Sequence, residues 1–166
     1  MSLVKITSTD YISNQALSNV VNYCGRHNKC IFWEGLGINT NSTKSIVDSM
    51  KIVKRIYNAE DGKQLYHLII NISRNEYEDE DFFNKNHKGL VEKSMGNLIA
   101  FDVSNLIYDM GFQNAFFIHD DTAFVHVHMV INSVNYMNGN RLNNLFSFEE
   151  YIRKFLKINY SKMKWL

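Results

Sequence analysis

The sequence contains no proline, two cysteines and almost no net charge, and each shortage narrows what the chain can be. The absence of proline leaves no Pro/Gly-rich linker, so nothing divides the chain into two domains. Cys24 and Cys30 are not spaced as CxxC and are too few for a disulfide framework, which points to a reduced, cytoplasmic protein. Eighteen Lys and Arg against seventeen Asp and Glu give a formal charge of +1. A general positive excess therefore cannot drive nucleic-acid binding, and any such binding must use a local groove. No apolar run approaches a membrane span and nothing near Met1 resembles a secretion signal, so membrane insertion is not expected. There is no internal repeat and no low-complexity tail.

What is present is the composition of a folded globular protein: 166 residues, 45% hydrophobic and 13% aromatic. One domain over 1–166 is the expectation. The acidic run from Glu76 to Asp81 and the basic end carrying Lys154, Lys157, Lys162 and Lys164 read as solvated surfaces.

The most informative segment runs from Ala115 to Asn132, where three of the six histidines fall within ten positions between apolar runs. Strand periodicity puts His126 and His128 on one face and Val125, Val127 and Met129 on the other. His119 ends the preceding run, and the residues from Asp120 to Ala123 can turn the chain, bringing a third imidazole alongside. Unpartnered polar rings in an apolar strand cost free energy, and ligation of a metal or a proton-handling cluster would remove that cost. The alternative is a solvent-facing strand surface. Three neutral imidazoles suit Mn, Fe, Co, Ni or Zn better than Ca and leave coordination positions open. Mg prefers oxygen ligands, some of which a substrate phosphate can supply.

The remaining elements follow from spacing. A strand is expected over Val4 to Ser8, then a helix from about Asn14 to Cys24 with Leu17, Val20, Val21 and Cys24 on its buried stripe and Gly25 as its stop. Gly35 to Thr43 reads as a loop, and Ser42 or Thr43 caps a helix reaching towards Tyr57. After the Asp61-Gly62 turn, Gln64 to Ser73 reads as a strand, within which His67 is either a fourth site group or a satisfied core histidine. A helix is expected over Lys88 to Met110, its apolar positions including Leu90, Leu98 and Val103, with Gly96 a point of interruption. Asn138-Gly139 signals a turn, and a last helix starts near Ser147 with a capping-box pattern. These elements predict an α+β fold: a single-layer, mainly antiparallel sheet with helices over one face and the metal on the other.

At these residues the chain resembles the relaxase/mobilisation nuclease family, the conjugative relaxases of the HUH endonuclease group. The family's third motif reads His-x-Asp, then His-x-His and an apolar run ending in Asn. Here it is His119-Asp120-Asp121, His126-Val127-His128 and Met129-Val130-Ile131-Asn132, followed by Asn138-Gly139. The first motif places a nucleophilic tyrosine near the end of the first helix before a basic residue, matched by Tyr23 and Lys29, with Cys30 where threonine is common. Gln64 to Ser73 resembles the family's central strand, so the likeness covers nearly the whole chain. Family members usually continue further, which leaves open that 1–166 is the N-terminal nuclease domain of a longer protein.

The resemblance implies an HUH relaxase-like fold and metal-dependent, site- and strand-specific DNA nicking and rejoining at the transfer origin of a plasmid or integrative conjugative element. It implies His119, His126 and His128 as metal ligands, with Mn or Mg as the working ion and Zn, Co or Ni compatible. Tyr23 would attack the scissile phosphate, leaving a 5′-phosphotyrosine and a free 3′-hydroxyl. A free tyrosine has a pKa of about 10, so the attack needs a proton acceptor or stabilisation of the phenolate. Asp121 is a candidate for that acceptor or for orienting a ligand histidine. Tyr11, Tyr66 and Tyr136 are alternative hydroxyls. Arg26 and Lys29 are the leading phosphate contacts, and Lys44, Lys51, Arg74 and Arg141 could line a longer groove. The implied partners are transfer-origin DNA, single-stranded near the nick, relaxosome accessory proteins and a secretion coupling protein. The rival readings are an HUH replication initiator or transposase, an unrelated histidine-ligated hydrolase that attacks through water, and a DNA-binding protein without turnover.

Overall fold

A computed structural model of the chain describes residues 1–73, 88–122 and 124–166, with the side chains of 88–94 excepted. Arg74, the Glu76–Asp81 acidic run and the Leu90 side chain lie outside the described residues. Along the chain the elements are β1 (Leu3–Ile6), α1 (Ala16–Cys24), β2 (Cys30–Leu36), α2 (Thr43–Ile56), β3 (Leu65–Ile72), α3 (Lys88–Asp109), β4 (Asn114–His119), β5 (Val125–Asn132) and α4 (Leu145–Asn159). The strands form one five-stranded sheet in the order β1-β3-β5-β4-β2. Every pairing is antiparallel, giving the α+β fold that the periodicities predict.

The histidine-bearing strand β5 is the centre of this sheet, where a strand is paired on both sides and its register is fixed twice over. His119 of β4 stands opposite His126, and Phe117 opposite His128. On the other side Ile69 opposes His128 and His67 opposes Val130, which makes His67 and His128 diagonal neighbours on one face.

The opposite face carries the larger core. Val125, Val127, Met129 and Ile131 of β5 pack with Ile99, Val103 and Ile107 of α3 and with Phe148, Ile152 and Leu156 of α4. Burying each such side chain stabilises the fold by roughly 1.5–3 kcal/mol before entropy is counted. The buried i, i+4 row of α3 is Ile99, Val103 and Ile107, whereas Leu98, expected inside, is 51% exposed. Gly96 does not interrupt α3: a Cβ there would lie 3.1 Å from Val125, so its bareness lets the helix approach β5.

The histidine face is not left bare, which corrects the expectation of helices on one face alone. Leu17, Val21 and Cys24 of α1 and Ile46, Val47 and Met50 of α2 pack over Leu65, Ala115, Phe117 and Val130. Both helices are amphipathic and the sheet offers apolar residues beyond the histidines, so water is excluded from that part of the face as well.

Two elements differ instructively from the sequence reading. Strand β2 was not anticipated; a register shift between Cys30 and Phe32 breaks the alternation that would have signalled it. Helix α4 begins at Leu145, capped by Asn144, whose side chain accepts from Ser147 N–H at 3.0 Å, so Ser147 lies inside the helix. Helix α2 starts as expected, with Ser42 accepting from Ser45 N–H. Gly25 ends α1 at φ −84°, a conformation open to any residue; its role is space, because a Cβ would stand 2.7 Å from the Thr43 methyl.

Candidate active site

Sheet periodicity brings four imidazoles to one patch beside the end of α1. The ring centroids of His119, His126 and His128 are separated by 4.4 Å (119 to 128), 5.9 Å (126 to 128) and 6.2 Å (119 to 126). His67 joins them, its ring stacked on that of His128 at 5.2 Å with Nε2 3.0 Å from His128 Nδ1. His67 is thus a buried histidine with both ring nitrogens partnered that also stands against the cluster.

Hydrogen bonding sorts the ring nitrogens. His119 Nε2 lies 2.7 Å from the Cys24 carbonyl oxygen, which can only accept, so Nε2 carries the proton and Nδ1 the lone pair. His126 Nε2 is 2.9 Å from the Thr122 hydroxyl, and its Nδ1 is buried without a hydrogen-bond partner. An orphaned buried nitrogen is costly, and coordination of a cation would satisfy it. Burial holds His128 down to about 3 and His67 down to about 4, with the nearby His119 acting in the same direction. His126 is lowered by burial and then by His119. These rings are neutral at pH 7, the protonation state a metal ligand requires.

Cys24 and Tyr11 complete the surroundings. Cys24 Sγ lies 4.0 Å from His67 Nε2, and the donor atoms of Cys24, His67 and His128 all lie within 4.8 Å of one another, a group able to hold a cation. Burial, reinforced by Cys30, pushes the Cys24 thiol up to about 12. On the far side of His67, the Tyr11 hydroxyl lies 3.2 Å from Nδ1 and accepts from Thr7 Oγ1 at 3.2 Å. Tyr11 has φ +50°, an uncommon backbone state for a non-glycine residue. Tyr11 is one of the alternative hydroxyls named from the sequence, whereas Cys24, on the buried stripe of α1 directly after Tyr23, was not anticipated at the metal patch.

Tyr23 sits in the last turn of α1, 42% exposed, because Leu17, Val21 and Cys24 turn the other side of the helix inwards. Its ring meets that of His128 edge-on at 6.4 Å. The Arg26 guanidinium lies 5.1 Å from the ring centroid and Lys29 Nζ lies 6.0 Å from it. The other hydroxyls have different employment: Tyr66 accepts from Leu142 N–H at 3.1 Å and Tyr136 donates to the Tyr108 carbonyl at 3.2 Å.

Lys29 also pairs with Asp121 at 3.0 Å, while Asp121 Oδ1 stands 3.9 Å from His126 Nε2. The Lys29 hydrogen bond holds the Asp121 carboxyl below the usual carboxylate range. Of the remaining basic candidates, Lys44 pairs with Asp48 on exposed α2, and Lys51 lines a cleft with Lys54, Arg55 and Gln64. Arg141 donates to the Ala59 and Asp61 carbonyls and clasps that loop. The described contacts thus bring Arg26 and Lys29 to Tyr23.

An antiparallel sheet whose central strands present neutral imidazoles beside an exposed tyrosine has the build of a metal-dependent nuclease domain. The family is given by comparison: the model of the relaxase family described as "MobA/VirD2-like, nuclease domain" matches residues 11–161, and the chain belongs to that family. It is accordingly a DNA-cleaving, DNA-binding enzyme of the mobilisation type, from a family that generally uses a divalent metal. No curated protein and no solved structure matches the chain. Among the described residues, no helix is long and apolar enough to cross a membrane.

Proposed function

We propose that this domain nicks and rejoins one strand of a mobile-element transfer origin through a covalent Tyr23–DNA intermediate. The observation that carries the reading is Tyr23 itself, an exposed phenol edge-on to His128 with two cations beside its ring. Its oxygen would bond to phosphorus while the bond to the 3′ oxygen breaks. The phenol proton goes to solvent and the leaving 3′ oxygen takes one up, so the products are a 5′-phosphotyrosine and a 3′-hydroxyl. The reverse attack by that hydroxyl rejoins the strand.

His119, His126 and His128 are the ligands we assign to the ion, supported by the neutral state of the His126 and His128 rings and by the orphaned Nδ1 of His126. A divalent ion, Mn or Mg, supplies Lewis-acid polarisation of a non-bridging phosphate oxygen when bound. Arg26 and Lys29 stabilise negative charge on the phenol and the adjacent phosphate. Asp121 acts as a positioning residue: a carboxylate held in its ionised form by Lys29 is a weak proton acceptor, but it anchors Lys29 beside Tyr23 and stands 3.9 Å from His126 Nε2. The substrate is origin DNA, single-stranded at the nick, of a plasmid or integrative conjugative element. Work in the cytoplasm alongside relaxosome proteins and a secretion coupling protein completes the proposal.

Nicking of end-labelled single-stranded oligonucleotides spanning candidate origins tests it. The proposal expects cleavage products with extendable 3′-hydroxyls and 5′ ends that resist labelling until protease treatment. Products with free 5′-phosphates would instead indicate water as the nucleophile.

A further inference from the structure

Behind the three ligands assigned above lies a second donor set: Cys24 from α1, His67 from β3 and His128 from β5. We infer that this set is an inhibitory site for a thiophilic cation such as Zn, Cd or Co, occupied only at the expense of the nicking ion. The inference rests on His119, His126 and His128 being the ligands of that ion.

Two of the three donor separations lie close to those of a tetrahedral site. Ligand lengths of about 2.0–2.3 Å place neighbouring donors roughly 3.3–3.7 Å apart. The observed separations are 4.0 Å for Cys24 Sγ to His67 Nε2 and 3.0 Å for His67 Nε2 to His128 Nδ1. The His67 ring is already braced for ligation, because its other nitrogen meets the Tyr11 hydroxyl, which orients the ring as second partners of metal-bound histidines do. The thiol of Cys24 is what separates this set from the outer one: sulfur selects soft cations, whereas Mn and Mg are harder ions that do not favour thiolate. Binding displaces the thiol proton to solvent and forms one metal–sulfur and two metal–nitrogen bonds, with no change in oxidation state.

The exclusivity follows from proton placement on one ring. An imidazole carries its proton on one nitrogen and its lone pair on the other. When His128 ligates through Nδ1 to the inner cation, its proton sits on Nε2 and that nitrogen no longer binds the nicking ion. When Nε2 binds the nicking ion, Nδ1–H donates to His67 Nε2, whose proton then lies on Nδ1 towards Tyr11. The two states share the same rings and differ in which nitrogens are free.

Titration of the intact protein with Cd tests this. Wild type is expected to show a thiolate-to-metal charge-transfer band that saturates at one equivalent, with Mn affinity falling in proportion to bound Cd. Cys24→Ser is expected to lose the band, to weaken Cd binding by more than about tenfold, and to keep Mn binding; Cys30→Ser keeps the band. In wild type alone, nitrogen-15 imidazole spectra should show His128 bound through Nδ1 with Cd, a readout that stands even if Cys24→Ser misfolds. A band that persists in Cys24→Ser, no band in wild type, or simultaneous binding of Mn and Cd would overturn the inner site. Failure of Tyr23 to nick leaves these spectra unaffected, so the two readings fail separately.

Discussion

Lys29 Nζ lies 3.0 Å from Asp121 Oδ2, joining the segment that follows the tyrosine helix to the loop between the two histidine strands. This one contact couples the proposed nucleophile to the proposed metal ligands. Lys29 also stands over the Tyr23 ring, and Asp121 reaches the His126 edge. Asp121→Asn is expected to lower nicking by roughly 10–100-fold, as loss of a ligand-orienting partner does. Its effect on folding should be small, since the pair is partly exposed. The carboxyl is depressed in the folded state, so its small contribution is full above pH about 4 and fades as pH falls through the lowered value. Single-turnover nicking and urea unfolding of the variant check both halves; an unchanged nicking rate would remove Asp121 from the site.

Tyr11 holds His67, and His67 holds His128. Tyr11→Phe retains the ring but frees His67 Nδ1. Metal affinity should fall about tenfold with a stability loss on the order of 0.5–1.5 kcal/mol. Calorimetric Mn titration measures the first, and equal affinity in the variant would show that the Tyr11 contact is merely local.

Gly25 sets where α1 ends relative to α2. A Cβ at this position would meet the Thr43 methyl at 2.7 Å and the Val21 carbonyl at 3.3 Å. Gly25→Val is expected to cost about 1–3 kcal/mol by overcrowding and to shift Tyr23 away from His128. Nicking should fall further than stability alone explains at temperatures where the variant remains folded. If the variant nicks at the wild-type rate, the position of Tyr23 does not depend on this close approach.

Lys54 is buried at 1% exposure, with Nζ donating to the Gln64 carbonyl at 2.8 Å and to the Ser133 hydroxyl at 2.7 Å. Burial, with help from Arg141, lowers it to about 7. Between that value and the ordinary lysine value of 10.5 the unfolded chain carries a proton that the native state lacks. Stability should therefore rise as pH increases through this window and level off above it. Chemical denaturation from pH 6.5 to 10, compared with Lys54→Met, isolates the contribution: a slope of the same size in the variant would assign it to other groups.

Much of this was readable in the sequence because period-two alternation survives wherever a strand has one histidine face and one apolar face. The rings of His119, His126 and His128 share one sheet face as their spacing predicts, although the donor atoms that lie within 4.8 Å of one another are those of Cys24, His67 and His128, and α2 begins at its Ser42 cap. Strand β2 was hidden by its register shift, and the start of α4 by the stronger-looking Ser147 signal two residues inside the helix. The pairing of His67 with His128 depends on a diagonal across β3 and β5, which no local pattern encodes. Arg141 reads in the sequence as a residue that could line a longer groove; only the folded chain shows it clasping the 59–61 loop.

The central claim is that Tyr23 attacks DNA, and the mass of a covalent adduct tests it most directly. Metal-loaded protein incubated with single-stranded oligonucleotides spanning candidate origins should gain the mass of the DNA segment 3′ of the nick. Tyr23→Phe should bind the same oligonucleotide and the same metal without that gain. An adduct that persists in Tyr23→Phe, or cleavage by wild type with no adduct at all, would contradict the account.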